Sequence, residues 1–190
     1  MQLEWSCPLS DEGYVTHRAW DGAILESCPF HPEGGCGLHK LGTYVRVEPP
    51  GTRIPRWWCP KRGASVSLLP AFLAARFSGT LATIERVVVA VETAGSIAAA
   101  VDVVHPPDAR DAVGLTCALR SIRRRVSAVS AALLAIVTLL PDLFAGVQPT
   151  IGGFREVLAC GDVLAALRPI VKRHLATLPA PLGFGARVAG

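Results

Sequence analysis

The sequence predicts a mainly α protein with a small β module at its N-terminus, held together by a metal ion. Three observations carry this. Soft and borderline ligands crowd into one segment: Cys28-Pro29-Phe30-His31, Cys36-Gly37-Leu38-His39, and Trp57-Trp58-Cys59-Pro60-Lys61-Arg62-Gly63. Between them Gly42-Thr43-Tyr44-Val45-Arg46-Val47 alternates in the manner of a strand and is rich in β-branched residues. From Leu68 onward the apolar residues recur at helical spacing.

The ligand pattern is the outline of a zinc ribbon. Zinc takes four tetrahedral sulfur or nitrogen ligands, and a pair separated by two residues grips one ion from a tight turn. Cys28 and His31 form such a pair, and Cys59 returns at the end of a strand, Pro-Gly turn and strand. Arg62 stands where the fourth ligand of a C-P-x-C-G turn would be, and a guanidinium has no lone pair to give a metal. The fourth ligand is therefore expected from Cys36, with His39 as its alternate; a thiolate binds zinc more firmly than an imidazole. The expected set, Cys28, His31, Cys36 and Cys59, fills every position of one Zn²⁺, which makes the ion structural.

The chain has 190 residues, 51% hydrophobic and 18% charged, a composition that excludes wholesale disorder. Six cysteines spaced like ligand pairs, behind an N-terminus without a basic and then apolar stretch, point to a reducing cytoplasm. Membrane insertion is not expected: the uncharged run from Val126 to Leu140 spans about 15 residues against the roughly 20 a bilayer needs. The net charge of +4 is unevenly spread. Acids dominate residues 1–33, whereas Lys40, Arg46, Arg53, Arg56, Lys61 and Arg62 follow against Glu48, and Arg120, Arg123, Arg124 and Arg125 cluster later. Two basic patches on separate modules suit a polyanionic partner.

Residues 1–27 lack periodicity and read as an irregular arm, and 28–67 as the ribbon. Within it Arg53-Ile54-Pro55-Arg56-Trp57-Trp58 returns toward Cys59, with Pro55 restricting that strand to an edge. Ala64-Ser65-Val66-Ser67 supplies a third strand. Residues 68–178 form a helical domain, starting with a short helix from Pro70 through Phe77. Thr80 caps a helix to about Thr93, and Gly95-Ser96 separates it from a helix over Ile97 to Val104. His105-Pro106-Pro107-Asp108 breaks the pattern. The longest helix, 115–140, carries the seam Leu119, Ile122, Val126, Val129, Leu133, Ile136 and Leu140. Two further helices follow at about 151–159 and 162–177, the second kinked or broken at Pro169, and 179–190 is an irregular tail.

The helices at 80–93, 96–104 and 115–140 fit a helix-turn-helix, the third presenting Thr116, Arg120, Arg123 and Arg124 to DNA; arginine reads guanine edges and neutralises phosphates. The link through Pro106 and Pro107 is longer than the usual tight turn. Cys28-Pro29-Phe30-His31, Gly42-Thr43-Tyr44, Arg56-Trp57-Trp58-Cys59-Pro60 and Ser65-Val66-Ser67-Leu68-Leu69-Pro70 together resemble the zinc-ribbon head of transposase-type proteins of bacterial mobile elements. That family reads C-P-x-C, R-x-G-x-Y, R-x-x-C-x-x-C-G and F-S-x-L-P, commonly followed by a helix-turn-helix with an Arg-rich third helix. Val66 replaces the frequent Phe, and Arg62 the Cys. The resemblance covers about 28–125 and implies DNA binding at element ends or a related regulatory role. Arg53, Arg56, Lys61 and Arg62 are then expected on phosphate, and Arg120, Arg123 and Arg124 on bases or backbone.

Strand transfer is not implied, because it needs a β-rich core in which carboxylates hold two metals, and the acids after the ribbon fall in helices or their connections. No P-loop or Gly-x-Ser-x-Gly elbow occurs. The alternative to DNA binding is a protein-interaction module, a homodimer or a complex with a partner chain, built on the ribbon and the 119–140 seam. A third class, a hydrolase with an open zinc position and Glu33 as base, requires that the fourth ligand be missing.

Overall fold

The computed structural model describes residues 1–105 and 114–185. The chain divides into two compact units, one of Met1–Leu73 with Ser78–Thr80 and the other of Ala74–Phe77 with Leu81–Gly190.

The first unit is built on four strands, β1 (Gln2–Trp5), β2 (His39–Val45), β3 (Arg53–Cys59) and β4 (Ala64–Pro70), in the order β1-β4-β3-β2. β2, β3 and β4 form an antiparallel meander, and β1 joins β4 in parallel, Gln2 beside Ser67 and Trp5 beside Pro70. β3 is thus interior rather than an edge strand. Pro55 is tolerated because the β3–β4 pairing spans only Arg56 to Cys59, so at Pro55 the strand has β2 alone as its registered neighbour. A bulge between Lys40 and Gly42, with Gly42 at φ 119°, bends β2.

The irregular arm expected at 1–27 is folded instead. Besides β1 it holds α1 (Asp11–Thr16) and a 3₁₀ turn, Ala19–Asp21. α1 is too short for a periodic signal, but its cap is local: Ser10 accepts the Gly13 amide, and Asp11 and Glu12 fill the first turn. Aromatic packing anchors the segment. Tyr14 is fully buried, its ring 5.9 Å from Trp5, 5.5 Å from Trp20 and 5.5 Å from Phe72, and its hydroxyl donates to the Arg53 carbonyl at 2.7 Å.

The helix expected from Pro70 to Phe77 does not form. Leu68 and Leu69 are buried in β4, so the strand runs on to Pro70, whose carbonyl turns the chain by accepting the Leu73 amide. Leu73 and Thr80 then form an isolated bridge.

The second unit is helical: α2 (Leu81–Ala94), α3 (Ile97–Val104), α4 (Leu115–Leu139), α5 (Pro141–Phe144), α6 (Ile151–Leu158), α7 (Val163–Ile170) and a final 3₁₀ turn, Lys172–His174. α3 has the expected bounds because Ser96 accepts the Ala99 amide and Gly95, at φ 71°, ends α2. α7 ends one residue past Pro169. Of the seam on α4, Ile122, Val129, Leu133 and Ile136 are fully buried, and Leu119, Val126 and Leu140 pack at the edges of the same clusters. The seam is therefore covered by this chain's own helices. α2, α3 and α4 pack on one another. The α3-to-α4 link with Pro106 and Pro107 lies outside the described residues, so these helices are established as a packed trio and not as a helix-turn-helix. From Pro179 the described chain has no regular structure, yet Leu182 is buried and its carbonyl accepts Arg168 Nη2 at 3.0 Å. No described helix is long and apolar enough to cross a membrane.

Two acids expected simply on helices have a structural task. Glu85 and Glu92 lie seven residues apart on α2, and each caps the N-terminus of another helix. Glu85 accepts the Val163 and Leu164 amides of α7 at 3.1 and 2.9 Å, and Glu92 the Ile151 and Gly152 amides of α6 at 2.9 and 3.1 Å. Each carboxylate meets the unpaired donors and the positive end of a helix dipole. Arg155 Nη2 also donates to Glu85, at 3.1 Å.

Candidate metal centre

The first unit brings four of the expected ligands together. The ligand atoms of Cys28, His31, Cys36 and Cys59 all lie within 4.8 Å of one another. Each arrives by a different local device. Cys28-Pro29-Phe30-His31 forms a tight turn in which the His31 amide donates to the Cys28 carbonyl at 3.1 Å. The chain then reverses at Gly34 and Gly35, at φ 83° and 69°, a backbone that glycine adopts without strain. This reversal delivers Cys36. Cys59 closes β3 at the start of a second turn, in which the Gly63 amide donates to the Cys59 carbonyl at 2.9 Å, with Gly63 at φ 63°.

Arg62 is reconciled by this turn. Its side chain is exposed, while its backbone amide donates to the Cys59 sulfur. The Phe30 amide does the same for Cys28. In each turn a backbone amide reaches the cysteine sulfur and the next one its carbonyl, one residue later at Cys59 than at Cys28, and the fourth side chain comes from the intervening loop.

The two sulfur–nitrogen distances suit a tetrahedral ion. His31 Nδ1 lies 3.4 Å from Cys59 Sγ and 3.8 Å from Cys28 Sγ. A tetrahedron with metal–sulfur bonds of about 2.3 Å and metal–nitrogen bonds of about 2.0–2.1 Å has S···N edges of roughly 3.6 Å. Cys28, Cys36 and Cys59 are buried, His31 is half-buried, and Phe30 and Leu38 pack against the thiols.

The electrostatics call for a cation. Burial pushes the Cys28 thiol up, but hydrogen bonds from His31, the Phe30 amide, Cys36 and Cys59 outweigh it and bring the thiol down to about 6. The Cys59 thiol is raised, first by burial and then by Cys28 and Cys36, despite the Arg62 amide. Three adjacent sulfurs cannot all ionise unaided; a divalent ion at their centre removes that conflict. The four residues can hold a metal ion, and they leave no coordination position open on a tetrahedral one.

The other sequence expectations separate clearly. His39, the alternate ligand, stays outside: it begins β2, is exposed, and pairs its Nδ1 with the Gly37 carbonyl at 2.9 Å. Glu33 is exposed in the loop and is not part of the cluster. Cys36→Ser is expected to abolish stoichiometric metal binding, and His39→Ala to leave it at the wild-type level, by elemental analysis of the purified chains.

Of the expected DNA contacts, Arg53 is exposed and donates to Thr43 Oγ1 at 3.3 Å. Arg56 is half-buried, lying 5.8 Å over the Tyr44 ring and donating to Ser65 Oγ at 3.3 Å. Lys61 and Arg62 are exposed on the Cys59 turn. Trp57 is buried against Ala23 and Leu68, while Trp58 is half-buried. In the second unit Arg120, Arg123 and Arg124 are exposed on one face of α4 and line a single cleft. Sequence reasoning misses two members of that cleft, Arg76 and Phe77, because it assigns them to a helix that does not form.

No family model, no curated protein and no solved structure matches the chain. The class of molecule follows from its own geometry: a four-stranded unit with a closed Cys₃His cluster, and a helical unit.

Proposed function

We propose that the chain is a zinc-stabilised DNA-binding protein related to the recognition part of transposase-type proteins, without a nuclease core of its own. The observation that carries the reading is the Cys59 turn, which contributes a ligand inward and presents Lys61 and Arg62 to solvent. Three thiolates and one imidazole in a tetrahedron suit zinc, and a filled tetrahedron suits a structural ion. When bound, zinc supplies cross-linking of two turns and a loop, and the protein's own residues do the rest.

Lys61 and Arg62 extend from the turn toward phosphate, with Arg53 on the adjoining strand. Such contacts fix position on a duplex and displace its counterions, giving a steep dependence on salt. Arg56 contributes less freely, because Tyr44 and Ser65 already hold it. The α4 arginines are the second basic set. A protein-interaction role through α4 would have to use another face, since its seam is buried within the second unit.

The test is fluorescence anisotropy with a duplex of mixed sequence at several salt concentrations. Wild-type affinity is expected to fall at least about tenfold between about 50 and 200 mM salt, and Lys61→Ala with Arg62→Ala to lower the log–log slope by about 2. Affinity that is flat with salt, or a slope unchanged in the double variant, would remove DNA from the reading.

A further inference from the structure

The cleft in the second unit has properties that duplex binding does not explain. Its volume is about 480 Å³, and Arg76, Arg120, Arg123 and Arg124 line it together with Phe77 and the Pro179-Ala180 segment. Among the described residues that line it there is no carboxylate. Arg120, Arg123 and Arg124 project from one face of α4, with Ser127, Ala128 and Ala131 one and two turns further on.

The four guanidiniums are prepared in two ways. Arg124 and Arg76 are positioned by the protein. Arg124 stacks 4.8 Å over the Phe77 ring and reaches the Arg76 carbonyl at 3.4 Å, and Arg76 donates to the Phe184 carbonyl at 3.1 Å. Arg76 is held at φ 59°, a left-handed backbone that costs a non-glycine residue energy and persists only where surrounding contacts enforce it. Arg120 and Arg123, by contrast, have no hydrogen bond or ion pair among the described residues. Four like charges around one recess repel one another, and two of them lack a partner among the described residues. An anion answers both conditions, and fixed guanidiniums lower the ordering cost of binding it.

Shape decides which anion. A duplex is read by an element that projects into a groove roughly 12 Å wide. These arginines line a recess instead, and its volume falls in the range of about 300–1,000 Å³ typical of small-molecule sites. Apart from Ser127, its other described lining residues, Phe77, Ala128, Ala131, Pro179 and Ala180, are apolar. We propose that this cleft binds a small organic phosphate, the phosphate groups on Arg120 and Arg123 between the fixed Arg76 and Arg124, and the apolar part against Ala128, Ala131 and Pro179. The site is separate from the metal centre, and it assigns the α4 arginines to a diffusible ligand instead of the DNA backbone.

Titration calorimetry of the full chain in about 150 mM salt tests this with ADP, pyrophosphate and adenosine as probes. ADP is expected to saturate at one per chain, pyrophosphate to bind more weakly at the same site, and adenosine not to bind. Arg120→Ala with Arg123→Ala removes no side-chain hydrogen bond or ion pair among the described residues, so the variant is expected to keep the wild-type melting temperature while losing at least about tenfold in ADP affinity. Arg120→Lys with Arg123→Lys keeps the charge and should restore part of it. Absence of saturable binding by both ADP and pyrophosphate at millimolar concentration overturns the proposal, and so does ADP binding that the double alanine variant leaves intact. Loss of duplex affinity in that variant, with no ADP binding by the wild type, assigns the cleft to DNA phosphate instead. Failure of the DNA reading at Lys61 and Arg62 leaves the ADP result untouched, so the two are separately decided.

Discussion

Cys59→Ser is expected to abolish metal binding and unfold the first unit. Cys59 is fully buried, closes the interior strand of the sheet, and lies 3.4 Å from His31 Nδ1. A serine hydroxyl is harder and less acidic than a thiol, so the substitution removes a ligand and leaves a polar group inside. Three short strands and an added fourth have a small core, and in modules of this size the free energy of metal binding is folding free energy. All four tryptophans of the chain, Trp5, Trp20, Trp57 and Trp58, belong to this unit, and Trp20 and Trp57 are buried. Tryptophan emission therefore reports on it directly: the variant should emit at longer wavelength than wild type and contain less than about a tenth of an ion per chain. Cys117→Ser, at an exposed cysteine outside the cluster, is the matched control and should change neither. A Cys59→Ser chain with native emission and full metal content would show that the cluster does not hold the ion.

Glu85→Ala is expected to be the most damaging single change in the helical unit. The carboxylate is 4% exposed and accepts three donors, two of them the leading amides of α7 and the third Arg155. Hydrogen bonds to a charged acceptor are worth about 1.5–3 kcal/mol, and deleting the acceptor leaves the buried amides unsatisfied. The Arg155 side chain is 41% exposed, so its share is small. The sum is about 3 kcal/mol, which for a unit near 100 residues lowers the melting temperature by upwards of about 10 °C. Thermal melting followed by helical circular dichroism measures it. Glu92→Ala removes a similar cap from α6, but at an exposed residue, and should cost less. Equal melting temperatures for Glu85→Ala and wild type would mean that the cap contributes nothing.

What is legible in the sequence is local. The Cys28-Pro29-Phe30-His31 turn, the Gly34-Gly35 reversal and the Cys59-Pro60 turn are each decided within a few residues, and residue type and spacing alone name the ligand set. The Gly95-Ser96 break is equally local. What escapes depends on contacts across long stretches of chain. The arm at 1–27 orders because Tyr14 reaches Arg53 and Trp5 lies beside Pro70, pairings no periodicity announces. Pro70 itself looks like a helix start, but β1 recruits it as the last residue of a strand. Glu85 and Glu92 look like ordinary helix acids, although their partners lie 59 to 79 residues further on. Arg62 lies outside the cluster as its chemistry requires, while the hydrogen bond from its backbone amide to the Cys59 sulfur is a property that side-chain identity does not reveal.

The central claim, a closed Cys₃His zinc site in the first unit, is tested most directly by X-ray absorption at the zinc edge of the purified, reduced chain, together with metal stoichiometry. The account predicts one zinc per chain with three sulfur neighbours at about 2.3 Å and one nitrogen at about 2.0–2.1 Å. Chains without zinc, or a shell with two sulfurs and oxygen in the remaining positions, would contradict it.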